Sequence, residues 1–240
     1  MGDAGRFSSL SGPGTAGGAG GQVIELEIPS PSIGSYQIAV GLGGNPTPYR
    51  LSGPTRFGSL LTASGGGSAS LGYSPNEANG LYAASIGFNS SGKVQSFWPN
   101  IPTTGGFPGG NAWSNYSNAC GGGGGGGAGG PGGDATISGP GLGGVGVISS
   151  ITGTPVEYGR GGNGGHTSVT LATPAFGPGG GGGAVRPTTQ LPQEGLPGNP
   201  GILVFRYLTG TQSWTGGDVS QVGPWTVHTF TADGTATRLS

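Results

Sequence analysis

Gly87 to Val94, GFNSSGKV, comes within one position of the phosphate-binding pattern G-x-x-x-x-G-K-[ST]. In that pattern backbone N–H groups cradle phosphates, the lysine reaches the outer phosphates and the hydroxyl holds Mg²⁺. Val94 stands where the hydroxyl belongs, and the following QSFWPNIP cannot form the required helix, so the stretch reads as a surface loop around Lys93. Gly141 to Gly146, GLGGVG, matches the dinucleotide pattern G-x-G-x-x-G, but such a match is expected by chance among 61 glycines. No βαβ unit surrounds it. His166 and His228 are the two histidines and Cys120 the one thiol. A Cys/His nucleophilic pair needs a held geometry, and Cys120 borders a glycine run that does not supply one. His228, beside Val227 and Phe230, reads as a strand-surface residue. Glu25 and Glu27 lie on one face of a strand and read as its solvated side. Asp134 and Asp218 follow Gly-Gly steps as turn residues do, without the spacing of a Ca²⁺ loop. The expectation is no enzyme, no cofactor and no metal.

The other chemistry is aromatic. Residues 68–118 gather Tyr73, Tyr82, Phe88, Phe97, Trp98, Phe107, Trp113 and Tyr116 among Ser and Asn. Rings on loops held by a rigid body stack on sugars or anchor protein interfaces, because they offer large area at little rotamer cost. Phe97, Trp98, Phe107, Trp113 and Tyr116 are therefore the candidate contact residues. The competing reading is a local core in which Phe97 and Trp98 pack against a glycine layer.

Something must hold these rings, and the composition says what it is made of. Of 240 residues 61 are glycine and 20 proline, with 7% charged, 32% hydrophobic and a formal net charge of -1. Disordered chains are usually more polar or more charged. Collagen needs glycine at every third position, which the run CGGGGGGGAGGPGG from Cys120 to Gly133 does not keep. Glycine runs bracketed by apolar pieces instead suggest extended threefold helices of the polyglycine-II type. Packed side by side, they would exchange backbone hydrogen bonds where any Cβ would push them apart.

The brackets read as β. VIELEI (Val23–Ile28) is expected to pair with Tyr36–Val40 across PSPSIGS. Val145–Ile151 and VEYG flank the turn TGTP, and ILVFRY (Ile202–Tyr207) reads as a buried strand. Trp225–Phe230 and Thr235–Leu239 flank Asp233-Gly234, a hairpin signal. The expected class is mainly β and irregular: a bundle of polyglycine-II-type helices bordered by short antiparallel strands, with essentially no α-helix. A glycine-rich domain is expected over 1–208 with the aromatic insertion at 68–118. A C-terminal hairpin segment is expected over 209–240, either on its own subunit or on a neighbour. Eight scattered Lys/Arg give no nucleic-acid footprint. Neither a Sec-type signal nor an apolar run long enough to span a membrane is visible.

The order GSYQIAVGLGGN, FGSLLTASGGGS, GGGGGGGAGG, GVISSITGTPVEYGRGGNGG and PGNPGILVFRY resembles glycine-rich domains of bacteriophage tail and tail-fibre proteins over residues 16–208. The hairpin and closing strand are the most specific part. The V-H-T-F-T-x-x-G-T element that precedes the first glycine block in that family stands here at residues 226–235, near the C-terminus. The resemblance implies a virion component of the distal tail, fibre or adhesin tip, made in the host cytoplasm and present in several copies. It also implies other tail proteins as partners and a host-surface glycan or protein as receptor. A purely architectural tail-tip or capsid-surface plug is the alternative.

Overall fold

The computed structural model describes residues 17–46, 49–50, 52–66, 93–94, 107–111, 113–114, 120–166, 174–184 and 195–240. Its strands are β1 (Val23–Ile24), β2 (Gly34–Ala39), β3 (Asn45–Pro46), β4 (Tyr49–Arg50), β5 (Thr55–Phe57), β6 (Leu61–Ala63), β7 (Lys93–Val94) and β8 (Trp113–Ser114). They continue with β9 (Cys120–Gly121), β10 (Val147–Ser149), β11 (Val156–Tyr158), β12 (Leu203–Leu208), β13 (Trp214–Thr215), β14 (Asp218–Val222), β15 (Trp225–Phe230) and β16 (Gly234–Arg238). The described residues contain no helix, and the chain is mainly β and irregular.

Two sheets hold the apolar core. One has the order β13-β16-β2-β5-β6 and the other β12-β15-β14, both antiparallel. Along β2, Ser35 and Gln37 are exposed while Ile38 is buried, the period-2 alternation of a strand with one face inward. Ile38, Val40, Phe57, Leu203, Trp214, Phe230 and Ala236 meet between the sheets. Phe205 stacks on Phe57 with centroids 5.5 Å apart and lies 5.1 Å from Trp214. Each buried aromatic or aliphatic chain contributes about 1.5–3 kcal/mol, so this cluster is the main apolar anchor of the β layers.

Sequence and structure agree on the hairpin β10–β11, where Val147 faces Tyr158 and Ser149 faces Val156, and on a strand at β12, although as an edge strand β12 is buried only at Leu203. They differ on two pairings. VIELEI is a strand only at Val23–Ile24, paired in parallel with Lys93–Val94, and the partners of β2 are β16 and β5. Pro29 and Pro31 lack backbone donors at the point where a hairpin ladder would close. Nor do β15 and β16 form a hairpin: β15 joins β12 and β14 while β16 joins β2 and β13 of the other sheet. A tight I′ turn needs positive φ at both central residues, which Gly234 does not adopt. Asp233 instead spends its carboxylate on the N–H of Val40, at 2.7 Å. The hairpin at this end is β14–β15, where Gly223 at φ +57° supplies the first residue of a two-residue turn.

Between and beyond the hairpins the glycine segments form a lattice. Gly122, Gly125 and Ala128 donate to the carbonyls of Gly165, Gly162 and Gly159, and Gly124 and Gly127 donate to Gly133 and Gly130. The carbonyls of Gly122 and Gly125 accept from Gly141 and Gly144, and those of Gly123 and Gly126 from Gly17 and Gly20. Each neighbour is therefore met at every third residue. The same rotation explains the composition: a Cβ on Gly124, Gly125, Gly126 or Gly127 would stand 1.9, 2.1, 1.9 and 2.2 Å from the carbonyl oxygens of Leu142, Gly18, Phe107 and Val145. These four consecutive residues face three different segments, the first and fourth meeting the same one a triplet apart, and none leaves room for a carbon atom.

Candidate functional site

The register of these hydrogen bonds gives the lattice two unlike ends. Gly17 to Gly21 and Gly141 to Gly144 run parallel to Gly122 to Ala128, whereas Gly159 to Gly165 runs antiparallel to it. At the end marked by Ala128 and Gly159 the chain passes into the β layers. At the other end lie Gly121, Ala135 and His166 together with Gly17, Ser114, Ala184 and Gly195, which border stretches outside the described residues.

A ledge is built at this second end. β8 and β9 set Trp113 opposite Gly121, and Gly121 bridges in turn to His166. His166 is 1% exposed and its Nε2–H donates to the carbonyl of Thr136 at 3.1 Å. The missing side chain of Gly121 makes the space, since a Cβ there would come within 2.5 Å of His166 Cδ2. Over the imidazole lies the half-buried Trp113 ring, 6.2 Å away and inclined by 23°. Beside it the Thr136–Gly139 turn, closed by reciprocal backbone bonds, carries Ile137 with 72% of its surface exposed. Asp134 closes the rim by accepting from the Asn111 N–H at 2.6 Å. The ledge offers a flat ring and an apolar tip, suited to a sugar face or a protein surface rather than to acid–base chemistry.

Of the five candidate contact residues, Trp113 belongs to this ledge. Phe107 is 39% exposed but sits toward the β end, its carbonyl against Gly126. Phe97, Trp98 and Tyr116 lie outside the described residues. His166 escaped the sequence reading, although RGGNGGH carries its signal: Arg160, Asn163 and His166 recur at the interval of three on which the lattice turns. Asn163 Oδ1 accepts from Gly143 N–H at 2.8 Å, and Arg160 pairs with Glu157 at 3.3 Å.

The motifs with catalytic overtones resolve differently. Within GLGGVG the four glycine N–H groups are already committed: Gly141 and Gly144 to Gly122 and Gly125, Gly143 to Asn163, and Gly146 to Glu157 Oε1 at 2.7 Å. No nest is left there for a phosphate. His228 is fully buried, not on a strand surface, because β15 is the central strand of its sheet and is covered on both faces. Its Nδ1–H donates to the Gly216 carbonyl at 2.7 Å, its Nε2 accepts from the Tyr207 hydroxyl at 3.3 Å, and its ring stacks on Phe205 at 4.7 Å. It is a packed and satisfied core residue. A cleft of about 790 Å³ at the β end is lined by Val23, Leu26, Phe57, Leu61, Phe205 and Trp225 among others. At its margin burial pushes the Tyr158 hydroxyl above its ordinary range, opposed by a hydrogen bond with Thr152 and reinforced by the Glu25 carboxylate.

Among the described residues no three His, Cys, Asp or Glu side chains gather as a metal site, and no helix is long and apolar enough to cross a membrane. No curated protein and no solved structure matches the chain. The family model of the glycine-rich domain matches residues 2–208, which takes in the whole lattice, the β10–β11 hairpin and β12, and the chain belongs to that family.

Proposed function

We propose that the chain is a non-enzymatic structural protein of a bacteriophage tail, in the distal tail, a fibre or its tip. A body of polyglycine-II type would hold one end toward the host surface. The observation that carries this reading is the polarity of the lattice. Its β layers lie at one end, and the Trp113–His166 ledge with the exposed Ile137 lies at the other. Hydrogen bonds recurring at every third residue, with no room for Cβ, are what polyglycine-II packing requires. A body so cross-linked loses little further entropy when its end meets a receptor, and several copies on one particle multiply weak contacts. The receptor class is a host-surface glycan or protein, and the remaining partners are other tail proteins.

A purely architectural plug is the second reading, and one observation favours it. Leu142, Val145 and Ile148, spaced by three, are 62%, 53% and 67% exposed, a row suited to burial against a neighbouring subunit. Fluorescently labelled chain added to host cells separates the two. The adhesin reading expects labelling that falls at least several-fold with Trp113→Ala and changes host range when residues 68–118 are exchanged. Absence of labelling by a folded, multivalent preparation refutes the adhesin and leaves the plug.

A further inference from the structure

The most exposed strand of the β layers is β14, at the outer edge of the sheet β12-β15-β14. Asp218, Val219, Ser220 and Gln221 are all exposed, Val219 by 58%. Among the described residues the β14 backbone bonds only to β15. Natural sheets guard such edges with short strands, inward charges, proline or bulges. The other edges here are guarded: β6 and β13 have three and two residues, and β12 carries Arg206 beside the cleft. DVSQV has none of these devices, its one charge lying at the first position.

The geometry points to a second copy of the same chain as the occupant of this edge, paired antiparallel about a two-fold axis at Ser220. In that register Ser220 faces its own equivalent, Val219 faces Gln221 and Asp218 faces Val222. The carboxylates are thus set apart, whereas an in-register parallel pair would oppose them directly. The alternation of the ladder provides about four to six backbone hydrogen bonds whichever set of groups points outward. The formal net charge of -1 per chain places little long-range repulsion between copies. The product is one continuous six-stranded sheet, β12-β15-β14-β14-β15-β12. A five-residue edge buries less than the roughly 800 Å² per partner of a stable dimer. Association is therefore concentration-dependent in solution and strengthened where copies are already held side by side. None of this depends on the receptor reading above.

The test uses the full chain with Cys120→Ser, so that an added thiol is the only one. Across the proposed axis the two Ser220 Cα atoms lie about 4.5–5.5 Å apart, within the range a disulfide spans. The two Val222 equivalents are separated by four residues along the strands, about 13–14 Å. Under mild oxidation Ser220→Cys is expected to give a covalent dimer at several-fold higher yield than Val222→Cys. Sedimentation of the unmodified chain is expected to show a monomer–dimer equilibrium that Val219→Lys combined with Gln221→Lys shifts to monomer. The proposal is overturned by a monomer at every concentration, by equal or reversed cross-linking at the two positions, or by a dimer that neither thiol captures. Ser220 and Val222 are exposed and partly exposed strand residues, and circular dichroism of each variant confirms that cross-linking is read on folded chains.

Discussion

Replacing Gly125 by alanine tests the account of the glycine lattice most directly. A Cβ at this position would stand 2.1 Å from the Gly18 carbonyl oxygen and 2.5 Å from its carbon. Ordinary contact lies above about 3.2 Å, so the chains must part by roughly 1 Å. Three bonds share that junction: Gly125 N–H to Gly162 at 2.9 Å, Gly144 N–H to Gly125 at 2.8 Å and Gly162 N–H to Gly18 at 2.8 Å. At about 1–1.5 kcal/mol each their loss costs about 3–4.5 kcal/mol. The reduced freedom of alanine in the unfolded chain returns at most about 1 kcal/mol. The net expectation is a loss of about 2–4 kcal/mol, a fall of roughly 4–16 °C in midpoint for a chain of this size. Gly139→Ala is the control, because a Cβ there meets nothing within 4 Å and Gly139 has no positive φ. Both variants are to be melted side by side, followed by tryptophan fluorescence and circular dichroism. If Gly125→Ala melts within a degree or two of Gly139→Ala, the claim that close approach dictates glycine is wrong.

Three further outcomes follow from the β layers. Asp233→Ala strips the Val40 N–H of its acceptor and is expected to lower stability by about 1.5–3 kcal/mol in urea titration, with Asp233→Asn recovering part of it. His228→Phe keeps a ring against Phe205 but leaves the Gly216 carbonyl without its donor; the expected loss is about 1–3 kcal/mol, and an unchanged urea midpoint would count against a structural role. Because burial raises the Tyr158 hydroxyl above its ordinary value, folded and unfolded chains both keep this proton below about pH 10. Above that the unfolded chain releases it more readily, so stability falls as pH rises toward the folded-state value. Tyr158→Phe is expected to flatten that alkaline limb in pH-dependent melts, and an identical limb would assign it to other groups.

The legible parts of this fold were those with local signals. Ile202–Phe205 announces a strand by its run of four apolar residues, and Val147–Tyr158 a hairpin by its turn residues. Partner choice was not legible where it is long-range: β2 pairs with β16, nearly the whole chain away, and Asp233-Gly234 carried a hairpin signal that the capping of Val40 overrode. A run of identical glycines contains no information about register. The register comes from the rare side chains between them, as Asn163 shows by reaching Gly143. At the site, the type of Trp113 marked it in advance, whereas its stacking partner His166 had to be read from a triplet interval rather than from its identity.

That interval reaches beyond stability. A segment that meets each neighbour once in three residues tolerates gains and losses only as whole triplets, since one extra residue turns every later donor toward the wrong chain. Divergence in this lineage is therefore expected to follow a grammar in which the lengths of these glycine segments change by threes.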